Sequence, residues 1–279
     1  MIFLTGSGGF IGKNLKEYLE TKFDVLAPRS SQLNLLNYED TERFFKLNKI
    51  RAVIHCASHS VKTTTNSSED ITLQNIAMFQ NIVKAASDNA LIINMGSGGE
   101  YDKSRELKKV REHEFGHSIP NDPYGYSKYL ISKEIEKYPN ALNLRLFGVF
   151  GPHEHYSRFP SYAIIQNLKK EPIIINNNTI FSYLFIEDLC KIVEYFLNSP
   201  PKTRFLNVVP SETITMLQIS DIVNKISPFK SSVIIKNEKL GNEYSGDNGA
   251  LLSEIRDFNF TPNKTALANF FEYFLRMRI

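Results

Sequence analysis

Short apolar runs alternate with segments of helical spacing from residue 2 to residue 147, and this alternation constrains the fold more than any other feature of the chain. Ile2–Leu4 reads as a strand, and a helix is expected near Gly9–Glu20. Asp24–Ala27 is the next short strand, Thr41–Leu47 a helix, and Ala52–His55 a strand bounded by polar loops. Ile71, Ile76, Phe79, Ile82 and Val83 give Asp70–Ser87 helical spacing, and Leu91–Met95 is again a strand. A helix at Tyr124–Lys137 and a strand at Ala141–Phe147 complete the series. Strands alternating with helices predict an α/β fold built on a doubly wound parallel sheet. Right-handed crossovers then leave a ligand crevice at the carboxyl ends of the strands.

Past about residue 150 the pattern loosens, punctuated by Pro152, Pro160, Pro172, Pro200, Pro201, Pro210, Pro228 and Pro262. Helices are expected there at Ile186–Leu197 and Met216–Ile226, and no internal repeat is visible. With 279 residues the chain has room for two unequal lobes sharing a core. We expect a larger unit over 1–152, rejoined by a segment at about 180–210, and a smaller α/β substrate lobe formed mainly by 153–279.

Several classes of function are disfavoured at this stage. The net charge is +3 with no Lys/Arg block, so nucleic acid is not expected as a partner. No apolar run approaches the ~18 residues of a membrane span. The N-terminus lacks the basic-then-apolar pattern of a secretory signal, so a cytoplasmic protein is expected. Cys56 and Cys190 lie in apolar contexts without C-x-x-C spacing, which argues against a disulfide framework or a metal site.

The stretch MIFLTGSGGFIG places Gly6, Gly9 and Gly12 between a strand and a helix. Gly6 suits a tight turn, Gly9 a close approach of backbone to a pyrophosphate, and Gly12 close packing of helix on strand. The helix N-terminus would offer unpaired N–H groups to the anion. Glycines alone fit a phosphate cradle or a plain loop, and the strand–turn–helix context favours the cradle. About 20 residues on, a carboxylate would mark a free ribose 2′-hydroxyl. This chain has Ala27-Pro28-Arg29-Ser30-Ser31 there, and Arg29 suits a 2′-phosphate. NADP(H) is therefore expected over NAD(H).

Ser97 lies just past a strand in LIINMGSGGEY, and PYGYSK puts Tyr124 and Lys128 at i and i+4, on one face of a helix. A nearby cation stabilises phenolate, so such a tyrosine can exchange a proton with an alcohol or carbonyl oxygen. Ser97 could hold the same oxygen. Tyr-x-x-x-Lys is also common on exposed helix faces.

Taken in order, Gly6-x-x-Gly9-x-x-Gly12, HCAS at His55–Ser58, Asn75 in QNIAMFQNIVKAA, Ser97 four before Tyr101, PYGYSK, and RLFGVFGP at Arg145–Pro152 resemble a known family. It is the nucleotide-sugar epimerase/dehydratase/reductase branch of the extended short-chain dehydrogenase/reductases. The resemblance implies a Rossmann NADP-binding domain over 1–152, with Gly6, Gly9, Phe10, Ile11 and Gly12 at the pyrophosphate turn. It implies Tyr124 as catalytic acid/base, Lys128 on the nicotinamide ribose and tuning Tyr124, and Ser97 aligning the sugar oxygen. His55 and Ala57 match the segment lining the cofactor, and Asn75 matches the family's supporting asparagine. Asn34 and Leu35 sit where family members touch adenine, although an Asp is more usual at 34.

LAPRSSQLNLLNYEDTERFF is similar to the GDP-fucose synthase and 4-keto-sugar reductase group, which uses NADPH. Fucose synthase also epimerises with a Cys and a His; here Gly99 stands at the Cys position and Tyr162 is the best match to the His. Gly98-Gly99 also replaces the Asp-Glu pair of the dehydratases. The family's phosphate-binding Arg is Phe181 in this chain, so either Arg158 or Lys169 holds a diphosphate or the substrate carries no nucleotide. Substrate contacts are expected at Gly98, Gly99, Arg158 and Tyr162. His113, His117, His153 and His155 lie in loops near the expected cleft. These points lead to an NADP(H)-dependent reduction of a keto group, at C4 of a nucleotide-linked deoxy-sugar, for surface polysaccharide synthesis by a homodimer. An NAD-dependent epimerase and a non-catalytic cofactor-binding protein are the alternatives.

Overall fold

The computed structural model describes residues 1–59 and 68–277. Its elements run β1 (Ile2–Thr5), α1 (Phe10–Leu19), β2 (Val25–Leu26), α2 (Tyr38–Leu47), β3 (Ala52–His55), α3 (Ser68–Ala85), β4 (Leu91–Ser97) and β5 (Leu107–Val110). They continue with α4 (Pro123–Ile135), β6 (Ala141–Leu146), β7 (Gly148–Phe150), α5 (Phe159–Leu168), β8 (Ile173–Phe181), β9 (Tyr183–Phe185) and α6 (Ile186–Asn198). The chain ends with β10 (Phe205–Val208), β11 (Ile214–Thr215), α7 (Met216–Ile226), β12 (Val233–Gly246), α8 (Gly249–Glu254) and α9 (Asn263–Arg276).

Six strands form a parallel sheet in the order β10-β6-β4-β3-β1-β2. The chain winds from β1 to β2 on one side, then crosses to β3 on the other. The crevice of such a sheet lies where winding reverses, at the ends of β1 and β3. Alternate side chains feed opposite layers. Ile2, Leu4, Ala52, Ile54 and Leu144 pack with Leu15 and Leu19 of α1 and with Ile192 and Phe196 of α6. Phe3, Val53, Ile92 and Ala141 pack with Phe79, Ile82 and Val83 of α3. Burial on both faces is why these strands read as unbroken apolar runs. Each such Val, Leu, Ile or Phe contributes about 1.5–3 kcal/mol by leaving water.

The structure moves some boundaries for identifiable reasons. α2 begins at Tyr38, ahead of the expected Thr41, because the Asn37 side chain accepts the Asp40 N–H at 3.1 Å. The expected strand ending at Met95 runs on to Ser97, which brings that serine onto the sheet itself. Past residue 150 two long strands appear where only broken elements were expected. β8 and β12 run in parallel from Val233↔Ile173 to Tyr244↔Phe181, within a second sheet ordered β11-β8-β12-β5. β5 lies inside residues 1–152 yet joins this second sheet, whereas β10 returns to the first sheet and β9 pairs with β7. Among the described residues no helix is long and apolar enough to cross a membrane.

Candidate active site

β1 delivers Gly6 at φ +67°, in the left-handed region, and a Cβ there would stand 2.6 Å from the Ala57 nitrogen. A Cβ on Gly12 would stand 2.2 Å from the Gly6 carbonyl oxygen. These two glycines clamp the turn between the end of β3 and α1. Gly8 and Gly9 differ: a Cβ at Gly8 would meet nothing within 4 Å, and at Gly9 only the Gly6 oxygen at 3.5 Å. The chain's own packing does not require them, and they leave a bare cradle at the α1 N-terminus, where N–H groups lack helical partners. Above it opens a cleft of about 870 Å³, within the size range of small-molecule and cofactor sites.

Of the residues expected to hold a dinucleotide, Gly6, Gly9, Arg29, Asn34, Leu35 and Ala57 line this cleft. Arg29 is exposed; its backbone N–H bonds Gln32, while its guanidinium meets no partner among the described residues. Phe10 and Ile11 instead lie partly buried against the core. Ser7, Lys13, Ser30, Ser58, His59 and Met78 also line the cleft and were not anticipated. The open cradle, the free cation and the volume together fit a dinucleotide.

His55 lies beneath this wall and is fully buried. The Thr5 hydroxyl accepts the N–H groups of Cys56 and Ala57, both at 3.1 Å, so its own proton goes to His55 Nδ1 at 2.9 Å. The ring is thereby fixed as the neutral Nε2–H tautomer. Burial first, and the Lys128 ammonium second, depress its pKa to about 3. Asn75 bonds the backbone of His59 in both directions (2.7 and 3.1 Å) and donates to Ser127 Oγ at 3.1 Å. It thus ties the loop after β3 to α4.

α4 starts where Asp122 accepts the Gly125 N–H at 3.0 Å and Pro123 occupies its first turn. Tyr124 follows, and one turn on the buried Lys128 donates to the Met95 carbonyl at 2.8 Å, with Nζ 5.8 Å from the centre of the Tyr124 ring. Lys103 Nζ stands 5.7 Å from that ring, beside Asp122. Ser97 caps the 3-10 turn Gly98–Tyr101, its hydroxyl accepting the Gly99 N–H at 3.0 Å. A Cβ on Gly125 would stand 3.0 Å from the Gly99 oxygen, so two glycines let the serine turn and the tyrosine helix meet backbone to backbone.

The serine turn rests on charge. Glu100 is fully buried, accepts the Ser97 N–H at 2.9 Å and pairs with Arg145 Nε at 2.8 Å. Arg145 also donates to the Tyr101 hydroxyl at 3.0 Å, which donates onward to Asn207 at 2.8 Å. Every charge here has hydrogen-bonded partners, the condition under which a buried ion pair is tolerable.

The second sheet supplies the far wall. The Tyr244 ring of β12 lies 5.0 Å from Phe147 and 5.5 Å from Phe181. Phe181 in turn stacks on Tyr183 at 5.1 Å. Where a phosphate-binding arginine was expected, this chain has an aromatic wall. Arg158, at the start of α5, is half-exposed and pairs with Glu154 at 3.0 Å, and its charge reaches both Tyr183 and Tyr244. Glu154 is 3 % exposed and bonded by Ser161 Oγ at 2.6 Å; burial, partly opposed by Ser161 and Arg158, lifts its pKa to about 7. At Gly98 the Phe147 ring would lie 2.6 Å from a Cβ, so packing alone requires a glycine there. Gly99 faces the site, its Cβ position 3.2 Å from Ser97 Oγ. The Tyr162 hydroxyl accepts the Ile174 N–H at 3.1 Å. His153 pairs with Glu17 and contacts Tyr273, and His155 bonds Ser157.

The chain is 23% identical over 300 residues to the GDP-L-colitose synthase of Yersinia pseudotuberculosis, covering 98% of this chain and 97% of that one. Among solved structures it superposes on UDP-glucose 4-epimerase of Thermotoga maritima, with UDP-glucose, at TM-score 0.81 and 19% identity, covering 100% and 99% of the two chains. It also superposes on the GDP-mannoheptose C4 reductase of Campylobacter jejuni, with NADP bound, at TM-score 0.81 and 15% identity, covering 98% of each. Residues 2–208 match the model of the NAD dependent epimerase/dehydratase family. The glycine cradle, the crevice at the strand ends and this match agree, and the chain belongs to the NAD dependent epimerase/dehydratase family.

Proposed function

We propose that the protein is an NADP(H)-dependent reductase of a keto group, at C4 of a nucleotide-linked deoxy-sugar. The observation that carries this reading is the meeting of Ser97 with the Tyr124 helix at the Gly99–Gly125 contact, over the buried Lys128. Gly6, Gly8, Gly9, Arg29 and Ala57 would hold the dinucleotide, which supplies a hydride to the carbonyl carbon when bound. Ser97 donates a hydrogen bond to the carbonyl oxygen and fixes its position. As negative charge grows on that oxygen, Tyr124 gives it its phenolic proton, and the positive Lys128 stabilises the phenolate left behind. The free Arg29 at the cleft favours a 2′-phosphate. Reduction without 3,5-epimerisation is supported by Gly99, which has no side chain to move a proton, and by Tyr162, a phenol at the best match to the family's histidine. The names of two relatives, a GDP-L-colitose synthase and a GDP-mannoheptose C4 reductase, agree with this substrate class.

The test is NADPH consumption on a panel of 4-keto-6-deoxy sugar nucleotides, with wild type and Tyr124→Phe. Turnover with at least one substrate, reduced about 100-fold or more in the variant, is expected. Full activity in Tyr124→Phe would refute the proton transfer. Retained NAD with interconversion of 4-epimers and no net cofactor consumption would establish an epimerase instead.

A further inference from the structure

Burying a carboxylate is costly, and an apolar side chain of the same size would pack without that penalty. Glu154 is nonetheless buried, between a hydroxyl and a cation. Its Oε2 accepts the Ser161 hydroxyl at 2.6 Å, whereas its Oε1 has no hydrogen-bond donor and faces the Arg158 Nε at 3.0 Å. Arg158 itself is 47 % exposed, so the pair does not serve to neutralise a buried cation. The contact takes the Nε edge of the guanidinium and leaves both terminal nitrogens without a partner among the described residues. What the buried carboxylate fixes is the direction of a free, forked cation.

The fold puts that fork at the reacting end of the sheet. Leu146, the last residue of β6, lies beside Ser97 in the strand register, and the next ring, Phe147, packs over Gly98 of the serine turn. β7 follows directly. The chain is then folded back by bonds from the Glu154 N–H to the Gly151 carbonyl at 3.1 Å and from the Arg158 N–H to the His155 carbonyl at 2.9 Å. Arg158 thereby occupies the N-cap of α5, the helix end whose dipole favours an anion. Lys169, the other expected cation, is the C-cap of the same helix, about 16 Å away along its axis and at the end that disfavours an anion. The charge of Arg158 also reaches Tyr183 and Tyr244 of the aromatic wall.

We propose that Arg158 is the anion clamp of the substrate site, its fork aimed by the buried Glu154 and closing on the diphosphate of a nucleotide-linked substrate. A guanidinium grips a phosphate through paired N–H···O bonds, which the two free terminal nitrogens supply. Glu154 is a positioning residue that acts through the arginine. The ligand class rests on the nucleotide-linked substrate of the reductase reading, whereas hydride transfer plays no part in the clamp.

The probes are GDP, UDP and dTDP, titrated by calorimetry at pH 8 into protein held in excess NADP+, so that the glycine cradle is already filled. At this pH Glu154, whose pKa burial lifts to about 7, carries its charge. At least one diphosphate should bind the wild type, and binding of none overturns the proposal. Arg158→Met should weaken that diphosphate about tenfold or more, and Arg158→Lys, which keeps the charge without the fork, about threefold or more. Affinity for NADP+ should stay within about twofold in both variants, because Arg158 does not line the cofactor cleft. Diphosphate affinity unchanged in Arg158→Met, or lost together with that for NADP+, overturns the clamp.

Glu154→Met keeps the volume and frees the guanidinium. It should weaken the diphosphate about fivefold in the wild-type background and less than about twofold in Arg158→Met, because Glu154 acts through the arginine. Equal losses in both backgrounds overturn the positioning role. Diphosphate binding that depends on Arg158, without turnover of any keto-sugar nucleotide, would refute the reductase reading and leave the clamp standing.

Discussion

Replacing Glu154 by Gln should change how stability depends on pH, with little change in shape. The carboxyl is 3 % exposed, and its pKa rises from 4.5 to about 7 in the folded chain. Between those values the unfolded chain is ionised while the folded chain holds the proton. The folded state then binds more protons, and unfolding free energy must fall as pH rises through this window. At about 1.4 kcal/mol per pH unit the interval corresponds to roughly 3 kcal/mol. Glutamine keeps an oxygen for the Ser161 hydroxyl and cannot ionise. Arg158 is half-exposed, so losing its pairing should cost at most about 1 kcal/mol. The measurement is urea unfolding of wild type and Glu154→Gln at steps from pH 4.5 to pH 8. Stability of the wild type relative to the variant should fall by roughly 3 kcal/mol up to pH 7 and then level off. His55 runs the other way: its pKa is depressed to about 3, so its contribution is full above pH 6.5 and is lost as pH falls. It is common to both proteins and cancels in the difference. A difference that stays flat with pH would show that Glu154 is ionised in the folded chain throughout, and the reasoning would fail.

Three further outcomes are expected. Gly12→Ala places a methyl 2.2 Å from the Gly6 oxygen and should destabilise the fold by about 1–3 kcal/mol and weaken dinucleotide binding; a variant that melts and binds like wild type contradicts the clamp. Arg145→Met leaves Glu100 buried and unpaired and should cost about 3–5 kcal/mol in urea unfolding, whereas a cost below about 1 kcal/mol would show that the pair does not hold the serine turn. Arg29→Ala should weaken NADPH by about tenfold or more in direct binding while leaving NADH nearly unchanged; equal losses remove the argument for a 2′-phosphate.

What could be read from the residues was set by distance along the chain. Runs such as Ile2–Leu4 and Ala52–His55 announce strands because burial on both faces leaves them no polar position. Gly6 and Gly12 were legible because their constraint arises within one turn, and Tyr124 with Lys128 because a helix brings i and i+4 together. Glu100 and Arg145 carry no such signal: their pairing depends on two strands lying side by side. Arg145 read as one letter of a motif, and Glu100 was not singled out. β8 was missed because its Asn177, Asn178 and Thr179 interrupt any apolar pattern in the strand. Tyr244 and Glu154 were unreadable for a related reason, since what matters about each is the environment that a distant segment closes around it.

The contact between Tyr244 and Phe147 also sets an order of assembly. Everything needed for the first sheet and its glycine cradle has been synthesised once β10 ends at Val208. Phe147, whose ring packs over Gly98 of the serine turn, receives the Tyr244 ring only after residue 244 has left the ribosome and β12 has docked alongside β8 and β5. Because chains fold from the N-terminus as they are made, the glycine cradle can form before the surroundings of the serine turn are complete. A nascent chain stalled between these points would have the glycine cradle but not the aromatic wall beside the serine turn.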